Sequence, residues 1–273
     1  GGPFDKERTL PEAIEKNLRA KYHLDRPLAV QYIIYMGGLI RGDLGPSFKY
    51  RNRSVNTIIA QSFPISLTLG IYALSLAFIV GVSAGTFAAV NKHSALDYAT
   101  MSITLLGISL PNFFLGLILL LLFCFELPLF QAAGWGRPGQ MVLPILTLAA
   151  PFTAYIARLM RASMLDVLSQ PYIRTARAKG LSEFQVVSRH ALKNAITPIV
   201  SFMGPAAAAV LTGSIVIEKI FAIPGLGTHF VNAALNRDYT LVMGTVLLYS
   251  FLLVLFNLAV DIVYSFIDPR VKL

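Results

Sequence analysis

Residues 54–91 read SVNTIIAQSFPISLTLGIYALSLAFIVGVSAGTFAAVN, and this stretch contains no Asp, Glu, Lys or Arg. A helix needs about 20 predominantly apolar residues to cross the hydrocarbon core of a bilayer. Four more runs are as free of charge: residues 98–125, 138–157, 194–217 and 239–260. They lack the alternation of barrel strands, and only helices or closed barrels satisfy their backbone in lipid. The sequence therefore predicts an all-α, polytopic integral membrane helical bundle with five spans.

The overall composition also indicates lipid as the solvent. Of the 273 residues, 55% are hydrophobic and 14% are charged, whereas a soluble protein carries about 25% charged residues. The net charge of +9 is concentrated in two blocks, residues 6–53 and 158–193, which is typical of membrane topology and does not suggest nucleic acid as a partner. Five buried helices in one soluble core are the alternative, but runs this long exceed ordinary helix lengths.

The connection at residues 158–193 orients the bundle. It carries seven Lys and Arg against Asp166 and Glu183, so the positive-inside rule predicts a cytoplasmic loop. Counting spans outward from this loop predicts the side of each other connection: the turn at Lys92 and the C-terminal tail inside, residues 126–137 and 218–238 outside.

The N-terminal segment, residues 1–62, is then extracytoplasmic, and residues 63–273 form the transmembrane domain. The first 60 residues hold ten Lys and Arg and six Asp and Glu, an unusual excess for a translocated segment. Since the chain begins at Gly1 and not at Met, we expect an upstream helix that exports this segment and brings the spans to six.

Two short helices are predicted in the N-terminal segment. Thr9 and Glu12 have capping-box spacing and precede one apolar stripe. A second helix follows Asp25 and ends in the turn at residues 42–45, Gly-Asp-Leu-Gly. These stripes are expected to pack on the bundle, and docking of a partner is the alternative.

Prolines are expected to interrupt three of the spans, and the residues concerned are Pro111, Pro144, Pro151, Pro198 and Pro205. Such breaks occur where neighbours or water satisfy the freed backbone groups, as along a transport pathway; a simple packing kink is equally compatible. In the first span Gly81 and Gly85 have the G-x-x-x-G spacing that allows close helix approach.

No catalytic or metal site is predicted. The uncharged runs exclude a proton relay or a carboxylate pair inside the spans. The single Cys, Cys124, and the four histidines form no known ligand or nucleophile pattern; the histidines are His23, His93, His190 and His229. We therefore expect a chain that is not an enzyme and binds no cofactor.

The most specific segment is Pro171-Tyr-Ile-Arg-Thr-Ala-Arg-Ala-Lys-Gly180. Pro171 suits the first turn of a helix and Gly180 suits its C-terminal cap. Ser182 and Gln185 then have capping-box spacing for the next helix. A short basic helix of this kind could lie on lipid headgroups or insert into a groove of a soluble partner.

Several short motifs follow one another along nearly the whole chain. They are Gly42-Asp-Leu-Gly45 with Ser47, Ile173-Arg-Thr-Ala-Arg-Ala-Lys-Gly-Leu181, Arg189-His-Ala-Leu-Lys193, Glu218 with Pro224-Gly-Leu-Gly227, Arg237-Asp-Tyr239 and Ile267-Asp-Pro269. In this order they resemble the inner-membrane permeases of binding-protein-dependent ABC importers, and most closely the B-type subunits of oligopeptide and dipeptide permeases.

The resemblance implies that residues 171–180 are a coupling helix, which docks in a cleft of an ATP-binding subunit. Its candidate contacts are Tyr172, Ile173, Arg174, Thr175, Ala176, Arg177, Lys179 and Gly180. Arg174 stands where the general motif has Glu, a departure that the peptide branch shares. The external loop would face the binding protein or the substrate path through Glu218, Pro224, Gly225, Gly227, Arg237 and Asp238.

The resemblance also implies the partners and the place of the protein. It implies the ABC type I importer permease fold with six spans, in the bacterial inner membrane. The partners would be a second permease in a pseudo-twofold pair, two cytoplasmic ATP-binding subunits that use ATP and Mg, and an extracytoplasmic substrate-binding protein. Peptides are the expected substrate, while nickel, opines or glycans are alternatives. The rival hypotheses are a membrane scaffold or receptor that binds a ligand without ATP-driven movement, and an intramembrane enzyme.

Overall fold

The computed structural model describes Lys16, Ala20, residues 23–50 and residues 52–267, with the side chains of residues 211–213 and 264–267 excepted. This part of the chain is helical and contains no β-strand, only an isolated bridge between Pro46 and Ser54. The helices in the first half of the chain are α1 (Leu28–Ile40), α2 (Val55–Val90), α3 (Ala95–Ser109), α4 (Asn112–Leu120) with a π-helical turn (Leu121–Glu126), and α5 (Pro138–Leu168). The predicted helix at residues 9–22 lies outside the described residues, apart from Lys16 and Ala20.

The second half of the chain begins with short helices and ends with long ones. They are α6 (Pro171–Ala178), α7 (Glu183–Gln185) with a second π-helical turn (Val186–Ala191), α8 (Leu192–Ala195), α9 (Thr197–Ile220), α10 (Leu226–Leu235) and α11 (Tyr239–Ile267). The helix predicted after Asp25 is confirmed as α1, which the turn at residues 41–45 follows.

Within the described residues, three helices are long and apolar enough to cross a membrane unbroken: α2, α5 and the part of α11 from Tyr239 to Val263. Two further helical segments are long and apolar enough only when both sides of a bend are taken together. The α3–α4 pair turns by 103°, and α9 bends by 48° between Val210 and Ser214. Counting each bent pair as one span gives the five predicted spans, and each uncharged run falls in one of them. At 36 residues, α2 is about 54 Å long and exceeds the roughly 30 Å hydrocarbon core.

The contact between α2 and α5 lies at the centre of the bundle. A Cβ added to Gly81 would lie 2.8 Å from Cβ of Ile156, and one added to Gly85 would lie 2.4 Å from the carbonyl oxygen of Ala157. These distances are too short for any side chain larger than hydrogen. The close approach predicted from the G-x-x-x-G spacing is therefore confirmed, and the contacted helix is α5.

An ion pair joins α3 to the end of α5. The Arg161 guanidinium donates to both carboxylate oxygens of Asp97, with Nε–Oδ1 at 2.6 Å and Nη2–Oδ2 at 2.7 Å. Asp97 is buried and Arg161 is one quarter exposed. Because two-point pairing compensates desolvation better than a single contact, this pair holds the two helices in register.

The prolines act differently from the prediction. Pro111 does coincide with the 103° break between α3 and α4. Pro144 and Pro151, however, lie inside the unbroken α5, so the predicted interruption of the third span is wrong. Pro198 lies in the first turn of α9, and Pro205 lies within this helix before its bend. Packing against α2, α3 and α4 keeps α5 continuous although Pro144 and Pro151 lack a backbone N–H donor.

Two expectations about the N-terminal segment change. In the predicted stripe of α1, Leu28 and Tyr32 are 83% and 65% exposed. Tyr35 and Leu39 are partly buried, so only the C-terminal half of the stripe is covered. Ser54 caps α2 by accepting a hydrogen bond from the Thr57 amide. The helix of the first span therefore begins before residue 62 and runs through the boundary drawn between the two segments.

Substitution of Gly85 by Ala should lower the thermal unfolding temperature in detergent micelles, because the added methyl must push α5 away from α2. Overpacking of this kind costs about 1–3 kcal/mol. The matched control is Gly37→Ala in α1, where an added Cβ meets nothing within 4 Å. The control should leave the unfolding temperature unchanged or raise it slightly, since Ala favours helix over Gly. Equal effects of the two substitutions would contradict the packing account.

Candidate functional site

The segment at residues 171–180 forms a short helix whose ends are those predicted. Pro171 occupies the first turn of α6. Gly180 follows the helix with φ of +79°, a left-handed conformation that Gly adopts without strain. Its amide donates to the carbonyl of Arg177 at 2.9 Å. Since two residues separate α5 from α6, α6 is attached closely to the end of a membrane helix.

One face of α6 is buried in the bundle. Ile173 is fully buried and Ala176 nearly so, and both belong to the same apolar cluster as Met164 of α5 and Val186 of the second π-helical turn. In this arrangement Ile173 and Ala176 contact their own chain. Of the eight candidate docking residues, these two therefore anchor the helix and do not present themselves to a partner.

Polar contacts hold α6 to the segment that follows it. Arg177 pairs with Glu183 through Nη2–Oε1 at 2.5 Å and Nε–Oε2 at 3.1 Å, and this hydrogen-bonded guanidinium holds the pKa of the Glu183 carboxyl below its ordinary value. Asn194 donates from Nδ2 to the Tyr172 hydroxyl at 2.8 Å. The pairs are exposed and individually weak, but together they restrict rotation of α6 about its buried face.

The predicted capping box after α6 is confirmed. The Gln185 amide donates to the Ser182 hydroxyl, and the Ser182 amide donates to Oε1 of Gln185. This reciprocal cap starts the helical path back to the membrane directly behind Gly180. The turn between α6 and α7 is therefore defined by hydrogen bonds on both sides.

The outer face of α6 is exposed and basic. Its exposed members among the candidate docking residues are Tyr172, Arg174, Thr175, Arg177, Lys179 and Gly180. Phe184 of α7 follows Glu183, the partner of Arg177, and is 81% exposed, although sequence reasoning did not select it. The sequence feature that could have identified it is an aromatic residue between polar neighbours, in the first turn after the start of a helix with a capping box. Exposed aromatic and Arg side chains side by side are typical of protein interfaces.

At the opposite end of the bundle, Glu218 is a buried carboxylate near the end of α9. Its Oε1 accepts hydrogen bonds from the hydroxyls of Ser66 at 2.6 Å and Ser214 at 2.9 Å, and its Oε2 accepts from the Thr228 amide at 3.2 Å. Ser66 in turn accepts from the Leu226 amide at 2.8 Å. Glu218 therefore ties α2, α9 and α10 together.

The glycines of Pro224-Gly-Leu-Gly227 give the Glu218 carboxylate its space. A Cβ on Gly225 would lie 2.4 Å from Cδ of Glu218, and one on Gly227 would lie 2.7 Å from Cγ1 of Ile215. The motif is therefore needed for the loop to close over a buried acid. Among these residues Pro224 is exposed, while Gly225 and Gly227 are buried.

Asp238 is a second buried carboxylate, at the start of α11. Its oxygens accept from the Ser47 hydroxyl, from the Phe48 amide at 3.0 Å and from the Lys49 amide at 3.3 Å. The Leu241 amide also donates to it, at 3.3 Å. Two motifs that are far apart in the sequence, Ser47 after Gly-Asp-Leu-Gly and Arg237-Asp-Tyr239, are thus parts of one structural joint.

The external candidate residues therefore divide into two groups. Glu218, Gly225, Gly227 and Asp238 face inward and maintain the loops, whereas Pro224 and Arg237 are exposed. Arg237 has φ of +58° and is exposed beside the buried Asp238. Contact of this loop with a binding protein stays a prediction, and these two exposed residues are its available contacts.

No metal centre is found among the residues that the structure describes, where no three His, Cys, Asp or Glu side chains are grouped to hold an ion. The arrangement consists of membrane-length helices, a basic helix mounted rigidly at one end and hydrogen-bonded loops at the other. These features define an integral membrane protein with an exposed basic surface at one end of its membrane-length helices.

The chain belongs to the family of inner membrane components of binding-protein-dependent transport systems, whose model matches residues 81–273. It is 50% identical to the dipeptide transport system permease protein DppB of Bacillus subtilis, over 100% of this chain and 89% of that protein. It is 46% identical to the oligopeptide transport system permease proteins OppB of Haemophilus influenzae and of Escherichia coli K12, over 100% of this chain and 90% of each relative.

Solved structures show the same fold. A chain of the inward-facing MetNI methionine ABC transporter matches with a TM-score of 0.67 and 16% identity, over 77% of this chain and 96% of that one. A chain of an amino acid ABC transporter matches with a TM-score of 0.52 and 18% identity, over 79% and 95%. The five-span bundle is therefore a known transporter architecture, and the predicted ABC importer permease fold is confirmed.

Replacing Asp238 by Ala should destabilise the loops that it joins, because the Ser47 hydroxyl and the amides of Phe48, Lys49 and Leu241 lose hydrogen bonds to a buried carboxylate. Loss of hydrogen bonds to a buried charged group should lower the free energy of unfolding by about 3 kcal/mol. The measurement is the unfolding temperature in detergent micelles, together with the rate of proteolysis at residues 41–53. The control is Asp43→Ala, which removes one exposed hydrogen bond to the Gly45 amide and should cost less than about 1 kcal/mol. Unchanged stability and proteolysis in the Asp238 variant would refute the joint.

Proposed function

We propose that this chain is the permease subunit of an ATP-driven ABC importer that moves di- and oligopeptides across the bacterial inner membrane by alternating access. The observation that carries the proposal is α6, a basic helix whose inner face is buried in the bundle and whose outer face is free. The family membership and the peptide permeases among the relatives favour peptides over nickel or other small solutes. A scaffold that does not move has no need of such a mounted helix.

The proposed movement is transmitted through rigid contacts. When two partner ATP-binding subunits close on ATP, they displace the outer face of α6. Ile173 and Ala176 pass this displacement to the bundle core, and α5 receives it directly because two residues connect it to α6. Contact of α5 with Gly81 and Gly85 of α2, and its pair with Asp97 of α3, extend the movement to neighbouring spans. Cavity-free packing transmits displacement efficiently.

The remaining components follow from this role. A second permease completes the pathway in a pseudo-twofold pair, and an extracytoplasmic binding protein delivers the substrate. This chain hydrolyses nothing and holds no cofactor, while the two cytoplasmic subunits use ATP and Mg. Pro224 and Arg237 are the exposed members of the candidate set in the external loop, and the binding protein would contact them.

Charge reversal on the outer face of α6 should uncouple transport. We expect Lys179→Glu to reduce ATP-dependent uptake of peptide at least about tenfold, since about 1.4 kcal/mol of lost coupling suffices for that factor. Its matched control is Lys92→Glu, an exposed Lys in the turn between α2 and α3, on the same side of the bundle. Uptake should be measured in reconstituted vesicles, with the amount of membrane-inserted protein determined in parallel. Normal uptake by the Lys179 variant would refute the docking role of α6.

The orientation of the bundle provides a second test. The positive-inside distribution favours a cytoplasmic loop at residues 158–193 and an external link at residues 126–137. A reporter enzyme that is active only in the cytoplasm should therefore work when inserted near Asp166 and fail when inserted near Gln131. The opposite pattern would overturn the orientation and, with it, the access of ATP-binding subunits to α6.

A further inference from the structure

A groove of about 540 Å³ runs along the surface between α9 and α11. On α9 it is lined by Pro205, Ala208, Ala209 and Ile215, on α11 by Val246 and Leu253 together with three polar side chains, and on α10 by Phe230. The polar members are Tyr249, Ser250 and Asn257. Since α9 and α11 both belong to membrane spans, these polar groups lie at the depth of the bilayer.

The hydroxyl of Tyr249 is the feature of the groove that points to a polar ligand. Its hydroxyl is buried and has no hydrogen-bond partner among the residues that the structure describes. The ring packs edge-on against Phe230 with 6.2 Å between centroids, so the hydroxyl is held in place. An unsatisfied buried hydroxyl costs about 1–3 kcal/mol, which a ligand that completes its hydrogen bond would recover.

A neighbouring groove provides a contrast on the same molecule. It has a volume of about 630 Å³ between α2, α9 and α11, and its lining is apolar except for Ser75. The outer side of α11 is also apolar, and Phe251 is 64% exposed there. Polar side chains in membrane helices face the bundle interior or a water-filled cavity. The α9–α11 groove therefore differs from the surfaces that suit lipid or another apolar helix.

We propose that the α9–α11 groove is a wall of the peptide path and that Tyr249, Ser250 and Asn257 hydrogen-bond to the backbone amides of the passing peptide; this inference rests on the proposed function. Hydroxyl and carboxamide groups both donate and accept, as a peptide backbone requires. Among the described residues that line the groove none is charged, so recognition is independent of the charges of the substrate.

The dimensions agree with this occupant. Tyr249 and Asn257 are eight residues apart on one helix, which corresponds to about 12 Å along the axis. An extended chain advances about 3.3–3.6 Å per residue, and the groove therefore accommodates about three residues of peptide at a time. The small side chains of Ala208 and Ala209 leave room for the main chain to approach α9.

The first test compares Tyr249→Phe with Tyr72→Phe in the complete transporter, reconstituted with its partner permease, ATP-binding subunits and binding protein. Tyr72 is an exposed Tyr on α2 and serves as the matched control. At subsaturating radiolabelled trialanine, Tyr249→Phe should reduce uptake about five- to tenfold, without change in ATP hydrolysis in the absence of peptide, and Tyr72→Phe should leave both unchanged. Uptake by Tyr249→Phe equal to that of the unsubstituted transporter would overturn the groove assignment. Absence of trialanine uptake by the unsubstituted transporter would instead reject the proposed function.

The second test asks whether the groove is aqueous. The chain has a single Cys, so Cys124→Ala provides a background in which one introduced Cys reports alone. In that background Ser250→Cys should react with a charged maleimide at least about tenfold faster than Phe251→Cys, although the two positions lie at the same depth. Saturating trialanine with the binding protein should slow the reaction at position 250. Equal reaction rates at the two positions would show that lipid covers the groove and would refute the assignment.

Discussion

The direct contact between the backbones of α2 and α5 is the constraint on which the rest of the structure depends. Gly81 and Gly85 permit it, because any side chain there would meet Ile156 or the carbonyl of Ala157. With α5 held against α2, its end carries α6 at a defined position, and Asp97 of α3 can reach Arg161. The orientation of the docking helix is thus set by two residues without side chains, inside the membrane.

Two buried carboxylates organise the other end of the bundle in a comparable way. Glu218 and Asp238 are each surrounded by hydroxyl and amide donors, so the cost of burying them is offset by several charge-assisted hydrogen bonds. Each acid joins segments that are far apart in the sequence. Residues that resembled a partner-binding motif are therefore first of all the internal joints of this chain, and the exposed Pro224 and Arg237 depend on them for their positions.

Sequence reasoning succeeded where the determining interactions are local. The spans follow from uncharged runs, and the ends of α6 follow from Pro171 and Gly180. The reciprocal cap of Ser182 and Gln185 spans three residues and needs nothing else. Sequence reasoning failed at Pro144 and Pro151, since the helix around them is held by neighbouring helices. It failed in part at α1, because an apolar stripe does not reveal what covers it.

By itself, the sequence determined the class of fold, the number of spans, the caps and the position of a short basic helix, because each depends on residues within a few turns of one another. Only the tertiary structure decided that Ile173 and Ala176 face the bundle. The tertiary structure also brings Ser66 to Glu218, 152 residues away in the sequence, and Ser47 to Asp238, 191 residues away. Burial and long-range hydrogen bonds arise when separate helices meet, and no local pattern records which helices those are.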